Sequence, residues 1–371
     1  MVILASNNNV GFVGWRGMVG SVLMNRLREE NDFKNFNSVF FTTSAVGKPA
    51  PFDAGTLKDA YDIKELAKQD IIVTAQGGDY TTEVYEKLRN NGWNGIWVDA
   101  ASTLRMEEDA VIVLDPVNRK VIDEALANGT KTFIGGNCTV STMLIGLGGL
   151  FEAGKIEWLT SMTYQAASGG GARHMRELLT QFGDIESAVD SELKDPSSAI
   201  LDIDKKVLET QKQVDTSQFG VPLAGNLIPW IDNDLGNGQS REEWKAEVET
   251  NKILNTEKTV PVDGICVRIG ALRSHSQAIT LKTTENMTVE EIEELIANHN
   301  EWVKVIPNSK KESMEELTPV ATSGTLSVPV GRIRQSRVDP QIFNLFTVGD
   351  QLLWGAAEPI RRMLLIAIGK L

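Results

Sequence analysis

The sequence predicts an α/β protein in two parts, a mostly parallel sheet wound with helices followed by a larger α+β unit. Two observations predict it. Over the first 135 residues short apolar runs alternate with amphipathic stretches, the rhythm of βα units. From Leu159 the strand-like runs are longer and more widely spaced, with helical stretches between them.

Residues 10–13, 39–41, 70–75 and 95–100 are apolar enough for buried strands, and the periodic stretches 18–28, 63–68 and 82–90 predict helices between them. In the second part, 159–164, 264–270 and 278–282 predict strands, and 173–182, 199–213 and 290–298 predict helices. The last of these is opened by the capping-box pattern Thr288-Val-Glu-Glu291. Residues 352–368 are helical in pattern with one apolar face, which is expected to pack back on the first part.

The chain has 371 residues, 42% hydrophobic and 23% charged, enough to bury a core without disulfide or metal staples. Lys and Arg total 37 against 50 Asp and Glu, a net charge of −13 with no basic run, which argues against nucleic acid as a partner. The two cysteines, Cys138 and Cys266, form neither a disulfide framework nor a metal-ligand spacing. The apolar start lacks the basic flank and length of a signal peptide, and the run 140–151 is too short to span a bilayer. A soluble, cytoplasmic protein is expected.

Gly11-Phe-Val-Gly14-Trp-Arg-Gly17-Met-Val-Gly20 follows an apolar strand and enters a helix, where backbone N–H groups can approach a pyrophosphate. Its spacing is looser than G-x-G-x-x-G, and a packing turn would also use these glycines. The second strand ends Phe41-Thr-Thr-Ser44 with no acid for a ribose 2′-hydroxyl. Those hydroxyls, with Arg16, suit a 2′-phosphate and predict NADP over NAD.

Cys138 follows a strand and two glycines at the mouth of an apolar helix, a position expected to lower a thiol's pKa and make a nucleophile. Asn137 and the local backbone can form an oxyanion hole there. Cys266, inside a strand-like run, reads as a buried hydrophobe. Three histidines compete for the acid/base role. His299 follows an exposed helix and reads as solvated, His174 lies in a glycine loop, and His275 lies between strand-like runs, which favours it.

Ser240 and Glu243 make a capping box, leaving Glu242 and Lys245 on one helix face with Glu249 beyond. That face is either a solvated ion-pair ladder or an anion and ammonium site. Arg105 follows a strand of the first part, at the edge where such folds bind ligands. Arg268 sits on an otherwise apolar strand and is expected to meet a carboxylate, from the protein or from a substrate.

Taken together, the chain resembles the aspartate-semialdehyde dehydrogenase family of Gram-negative type. The likeness runs from about Val10 to the C-terminus. It is carried by the glycine loop, Gln76-Gly-Gly-Asp-Tyr80, Gly135-Gly-Asn-Cys-Thr-Val-Ser141, Tyr164-Gln-Ala-Ala-Ser-Gly-Gly-Gly-Ala-Arg-His174 and Gly349-Asp-Gln-Leu-Leu-Trp-Gly-Ala-Ala-Glu-Pro359. The resemblance implies a Rossmann-like NADP-binding domain, 1–135 with 357–371, and an α+β catalytic and dimerisation domain, 136–356, in a homodimer. It implies Cys138 as nucleophile, His275 as acid/base and Gln165 as the residue orienting the intermediate. Arg268 and Glu242 would hold the substrate's α-carboxylate and α-ammonium, and Arg105 and Lys245, with Asn137, its phosphate. NADP would contact Gly14, Arg16, Gly17, Met18, Val19, Thr43, Ser44, Gln76, Ser168, Gly169, Pro196 and Gln351. The segment 168–171 is expected to close on the nicotinamide.

The implied reaction converts L-aspartyl 4-phosphate to L-aspartate 4-semialdehyde through a cysteine thioester, for lysine, diaminopimelate, methionine and threonine synthesis. In the reverse direction inorganic phosphate is the co-substrate, and His275 would take the hemithioacetal proton. Two features depart from the family: the first nine residues carry no match, and Ser274 stands where a cysteine is common. Three rivals predict different behaviour. A related acyl-phosphate reductase would lack the zwitterion clamp, a nucleotide sensor would have an inert Cys138, and a thiol hydrolase would leave the glycine loop idle.

Overall fold

The computed structural model describes residues 8–371. The first nine residues fall mostly outside that range, but Asn9 already opens the first strand. Seven strands form a wholly parallel sheet in the order β3-β2-β1-β4-β5-β7-β6: β1 Asn9–Val13, β2 Asn37–Thr42, β3 Lys58–Asp59, β4 Ile71–Thr74, β5 Ile96–Asp99, β6 Ala110–Val113 and β7 Thr132–Gly135. Helices α1 (Met18–Glu29), α2 (Ile63–Leu66), α3 (Gly78–Asn90) and α4 (Asp115–Ala127) connect them. β4 is buried at every position, as a parallel strand covered on both faces requires. The strand order reverses beside β1, so ligands of this sheet belong at the carboxyl ends of β1 and β4.

The glycine loop makes that approach possible. Gly14 has φ +74°, and a Cβ on Gly20 would lie 2.1 Å from the Gly14 carbonyl oxygen, so α1 can start only this close to β1 without a side chain there.

Helix α5 (Cys138–Glu152) leads into a mixed eight-stranded sheet. Its central strands are β8 (Ile156–Gln165), β12 (His275–Thr283) and β15 (Ile342–Gly349), with β9 (Leu227–Ile228), β10 (Val262–Asp263) and β11 (Cys266–Ile269) on one side and β13 (Val303–Val305) and β14 (Val328–Gln335) on the other. Helices α6 (Ala172–Lys194), α7 (Ile200–Gln211), α8 (Arg241–Leu254), α9 (Val289–Ala297), α10 (Lys310–Glu316) and α11 (Pro319–Thr322) lie between the strands. Helix α6 runs twelve residues past the expected end at Phe182, because Gly183 is tolerated in the open, with nothing near its Cβ position, and the polar turns beyond it stay helical.

Helix α5 is buried through its middle, and its glycines admit α9: a Cβ on Gly149 would stand 1.9 Å from the Leu295 carbonyl oxygen. The expectation that His299 is solvated fails here. Its side chain is 5% exposed, its ring lies over Gly148, and Nδ1 is paired with the Asn300 amide at 2.9 Å. The box Thr288/Glu291 does open α9.

Both sheets converge at the chain's end. After Gly349 the chain makes a wide helical turn, Leu353–Ala357, and continues as α12 (Glu358–Ala367). Ile360, Met363 and Leu364 of α12 sit in the same apolar cluster as Val10, Phe12 and Leu27. Arg362 of α12 forks onto Asp115 at 2.6–2.9 Å and lies 4.7 Å above the Trp302 ring, so one guanidinium ties the two sheets' surroundings together. Among the described residues no helix is long and apolar enough to cross a membrane.

Candidate active site

Strand β7 ends at Gly135, and Asn137 caps α5, its Oδ1 accepting the N–H groups of Thr139 and Val140 at 3.0 and 3.2 Å. Cys138 is therefore the first helical residue. His275 opens β12, and its Nε2 lies 3.2 Å from Cys138 Sγ. Of the three histidines this is the one brought to the thiol. His174 instead sets its ring against Phe219 at 4.8 Å, with Nδ1 buried and unpaired.

The backbone N–H of Ala166 donates to His275 Nδ1 at 2.9 Å. A neutral imidazole accepting there carries its hydrogen on Nε2, so the ring as placed is a donor toward the sulfur. Taking a proton, as the base role demands, requires the other tautomer and loss of the Ala166 bond. Burial, with Arg268 nearby, pushes the imidazole down to about 3. The expected lowering of the thiol is reversed here. Burial raises Cys138 and Glu242 adds to the rise, against Arg268, Arg105 and Lys245.

Cys138 lines a cleft of about 410 Å³ that also holds Arg105, Gln165, Glu242, Lys245 and Arg268. The helix face read as a possible solvated ladder is buried. Glu242 accepts from Asn137 Nδ2 at 3.0 Å, Gln165 Nε2 at 3.2 Å and Lys245 Nζ at 3.1 Å. Burial pushes Glu242 up, but Lys245 and the two amides outweigh it and hold the carboxylate below its usual range. Burial likewise pulls Lys245 down, and Glu242 and Asp232 more than reverse it.

Glu249 does not pair with Lys245. It accepts from Arg105 at 3.1 Å and from the Asn137 backbone N–H at 2.6 Å, bracing the segment just before the nucleophile. Arg105 also donates to the Gly135 and Gly136 carbonyls, at 2.6 and 3.0 Å. Since its N–H and side-chain amide serve Glu249 and Glu242, Asn137 is a brace rather than the free donor an oxyanion hole needs. Arg268 donates to the Ala166 carbonyl at 2.7 Å, and among the described residues no carboxylate comes within ion-pairing distance of it. Sequence reasoning missed Glu249's role, although Glu242, Lys245 and Glu249 share one helix face. It also missed Asp232, which reaches Lys245 from a loop.

A second cleft, about 380 Å³, lies across the glycine loop and is lined by Gly14, Arg16, Gly17, Thr43, Ser44 and Gln76. Arg16 donates to Thr42 Oγ1 at 3.0 Å, one residue before the expected hydroxyls. Val19, Gly169 and Gln351 line the cysteine cleft instead. Ser168 Oγ and Gln351 Oε1 are buried without a partner among the described residues. Met18 starts α1 beside the loop but lines neither cleft, and Pro196 lies in the exposed turn between α6 and α7.

Residues 9–125 match the family model described as the NAD binding domain of semialdehyde dehydrogenase, and residues 147–354 match its dimerisation domain. A solved aspartate semialdehyde dehydrogenase from Francisella tularensis is 50% identical, with 97% of this chain and 99% of that chain covered and a TM-score of 0.93. The chain belongs to the aspartate semialdehyde dehydrogenase family. More distant members share the fold. Aspartate semialdehyde dehydrogenase II of Vibrio cholerae, solved in complex with ASA, is 23% identical with a TM-score of 0.80, covering 98% of this chain and 99% of its own. The Candida albicans enzyme, solved with NADP, is 18% identical with a TM-score of 0.67, covering 99% of this chain and 100% of its own. The family's dimerisation domain accords with a homodimer. It spans the mixed sheet, where β8 leaves Met162 and Tyr164 exposed on one face.

Proposed function

We propose that the chain is an NADP-dependent aspartate-semialdehyde dehydrogenase that converts L-aspartyl 4-phosphate to L-aspartate 4-semialdehyde through a thioester on Cys138, and acts as a cytoplasmic homodimer. The observation that carries the substrate assignment is Arg268. A buried guanidinium beside a thiol–imidazole pair, with a carbonyl but, among the described residues, no carboxylate as partner, suits a substrate carboxylate. Glu242 lies across the same cleft to take the α-ammonium, and Arg105 and Lys245, with Asn137 nearby, would supply the cations for phosphate. A related acyl-phosphate reductase acting on a blocked amine would have no use for Glu242.

With His275 in its second tautomer, Nε2 takes the Cys138 thiol proton as the sulfur attacks the acyl carbon, a C–S bond forms, and the C–O bond to phosphate breaks. Gln165, held by Thr163 Oγ1 at 3.2 Å and by Glu242, would orient the acyl group. NADPH, when bound, supplies the hydride that takes the thioester to the aldehyde level. The C–S bond then breaks as the carbonyl re-forms, and the protonated His275 returns its Nε2 proton to the departing thiolate. For the reverse reaction His275 must accept the hemithioacetal proton, which calls for its second tautomer.

The glycine-loop cleft with Arg16, Thr43, Ser44 and Gln76 would hold the nucleotide end of NADP, with Gly14, Gly17 and Met18 at the helix start. The unpaired Ser168 Oγ and Gln351 Oε1, with Val19 and Gly169, fit an amide-bearing ring beside Cys138. Pro196, in the exposed turn between α6 and α7, would also contact the cofactor, and segment 168–171 would close on the nicotinamide. The packing of α12 supports dividing the chain into 1–135 with 357–371 and 136–356. The test is absorbance at 340 nm with L-aspartate 4-semialdehyde and NADP. Phosphate-dependent NADPH formation that vanishes in Cys138→Ala is expected, and NADP binding without turnover would overturn the assignment.

A further inference from the structure

Lys245 lies between two carboxylates. Glu242 Oε2 is 3.1 Å away on the same helix, and Asp232 Oδ2 is 2.6 Å away on the segment joining β9 to α8. The two are not equivalent. Glu242 is buried and also holds Asn137 and Gln165, so it cannot leave without breaking the floor of the cleft.

Asp232 lines the cleft at its rim with its side chain a quarter exposed. Its other side-chain bond is local, to the N–H of Asn233 at 2.8 Å. Its backbone is left-handed, φ 70°, an uncommon state for a residue that is not glycine. The Trp230 indole N–H donates to its carbonyl at 3.0 Å, and Gly236 and Gly238 further along the segment have positive φ. A carboxylate oxygen on an ammonium at this distance occupies the place a phosphate oxygen would take. A phosphate would be a third anion on an ammonium that Glu242 and Asp232 already share, and Asp232 beside it would repel it.

We propose that Asp232 is a tethered anion occupying the phosphate position on Lys245, which it yields when the phosphate group enters, so that phosphate affinity is set by competition and the Trp230–Asp232 segment moves with phosphate. This rests on the assignment of Lys245 to phosphate. The held lysine stays charged and positioned, at the cost of weaker phosphate binding.

The experiment varies inorganic phosphate in the NADP-reducing direction for wild type, Asp232→Asn, Asp232→Glu and Lys245→Met. Competition predicts that Asp232→Asn lowers the phosphate KM about tenfold, with a smaller change in kcat, and that the inhibition constant of sulfate falls in parallel. Asp232→Glu, which keeps the charge, should restore most of the wild-type KM. Phosphate titrated into the free wild-type protein should change the tryptophan emission, and Trp230→Phe should remove that change. An unchanged or raised phosphate KM in Asp232→Asn overturns the proposal. Lys245→Met separates the two readings. If it raises the phosphate KM while Asp232→Asn does not lower it, competition alone fails, and if it leaves that KM unchanged, the assignment of Lys245 fails as well.

Discussion

The Ala166 backbone N–H and the His275 imidazole are joined at Nδ1 over 2.9 Å, and this bond decides which ring nitrogen faces the thiol as a donor. Burial of the same ring beside Arg268 ties His275 to stability. The folded imidazole, held down to about 3, stays neutral where an unfolded one, near 6.5, takes a proton. Stability is thus full above about pH 6.5 and falls as pH drops toward 3, by about 1.4 kcal/mol per unit for this proton. Urea unfolding at about pH 7.5 and 5.5 should show His275→Asn losing about 1.4 kcal/mol less than wild type between them. Equal losses would mean an ordinary imidazole.

Burial and Glu242 hold the Cys138 thiol above its usual value in the free protein. Its alkylation by iodoacetamide should keep rising with pH beyond the ordinary thiol midpoint, about 8.5. A plateau reached near pH 7 would mean that Arg268, Arg105, Lys245 and the helix terminus already stabilise the thiolate.

Glu249 and Arg105 form a pair that is nearly fully buried. Removing one partner leaves the other charge stranded, so Glu249→Ala should cost about 3–5 kcal/mol in chemical unfolding. A Glu249→Met, Arg105→Met double variant should recover much of that stability while still binding phosphate poorly. Recovery of phosphate binding as well would remove Arg105 from the site.

Gly355 approaches the nucleophile closely: a Cβ there would lie 2.8 Å from Cys138 Cβ and 3.1 Å from its Cα. Gly355→Ala should therefore displace the sulfur, lowering kcat by about a hundredfold for about 1–3 kcal/mol of stability. A variant with full kcat would show that the turn can retreat without moving Cys138.

Arg16 stands over the Trp15 ring at 5.1 Å and touches Thr42. If it meets the 2′-phosphate, Arg16→Ala should lose about 1.5–3 kcal/mol of NADP binding, roughly 10- to 150-fold in KM, with NAD nearly unaffected. Equal losses for both nucleotides would assign Arg16 to the pyrophosphate they share.

Local signals in the sequence were reliable where the physics is local. The boxes Ser240/Glu243 and Thr288/Glu291 close as expected, since their partners lie three residues apart. Cys138 at the start of α5 followed from the glycines and the apolar run behind it. His299 failed for the opposite reason. Its helix has a polar face, but the ring turns back over Gly148, more than a hundred residues earlier in the chain.

The sequence by itself determined the parallel first sheet, the glycine loop, the helix that presents Cys138, and the family through its long motifs. Only the tertiary structure decided which histidine meets the thiol, that Glu249 serves Arg105 and Asn137, that Asp232 holds Lys245, and that among the described residues Arg268 has no carboxylate beside it. Spacing along the chain encodes periodicity and caps because those contacts span a few residues. Partners such as Cys138 and His275 are chosen by how two sheets meet around α5 and α8, and burial then sets whether each charge is shielded, paired or left open for a ligand.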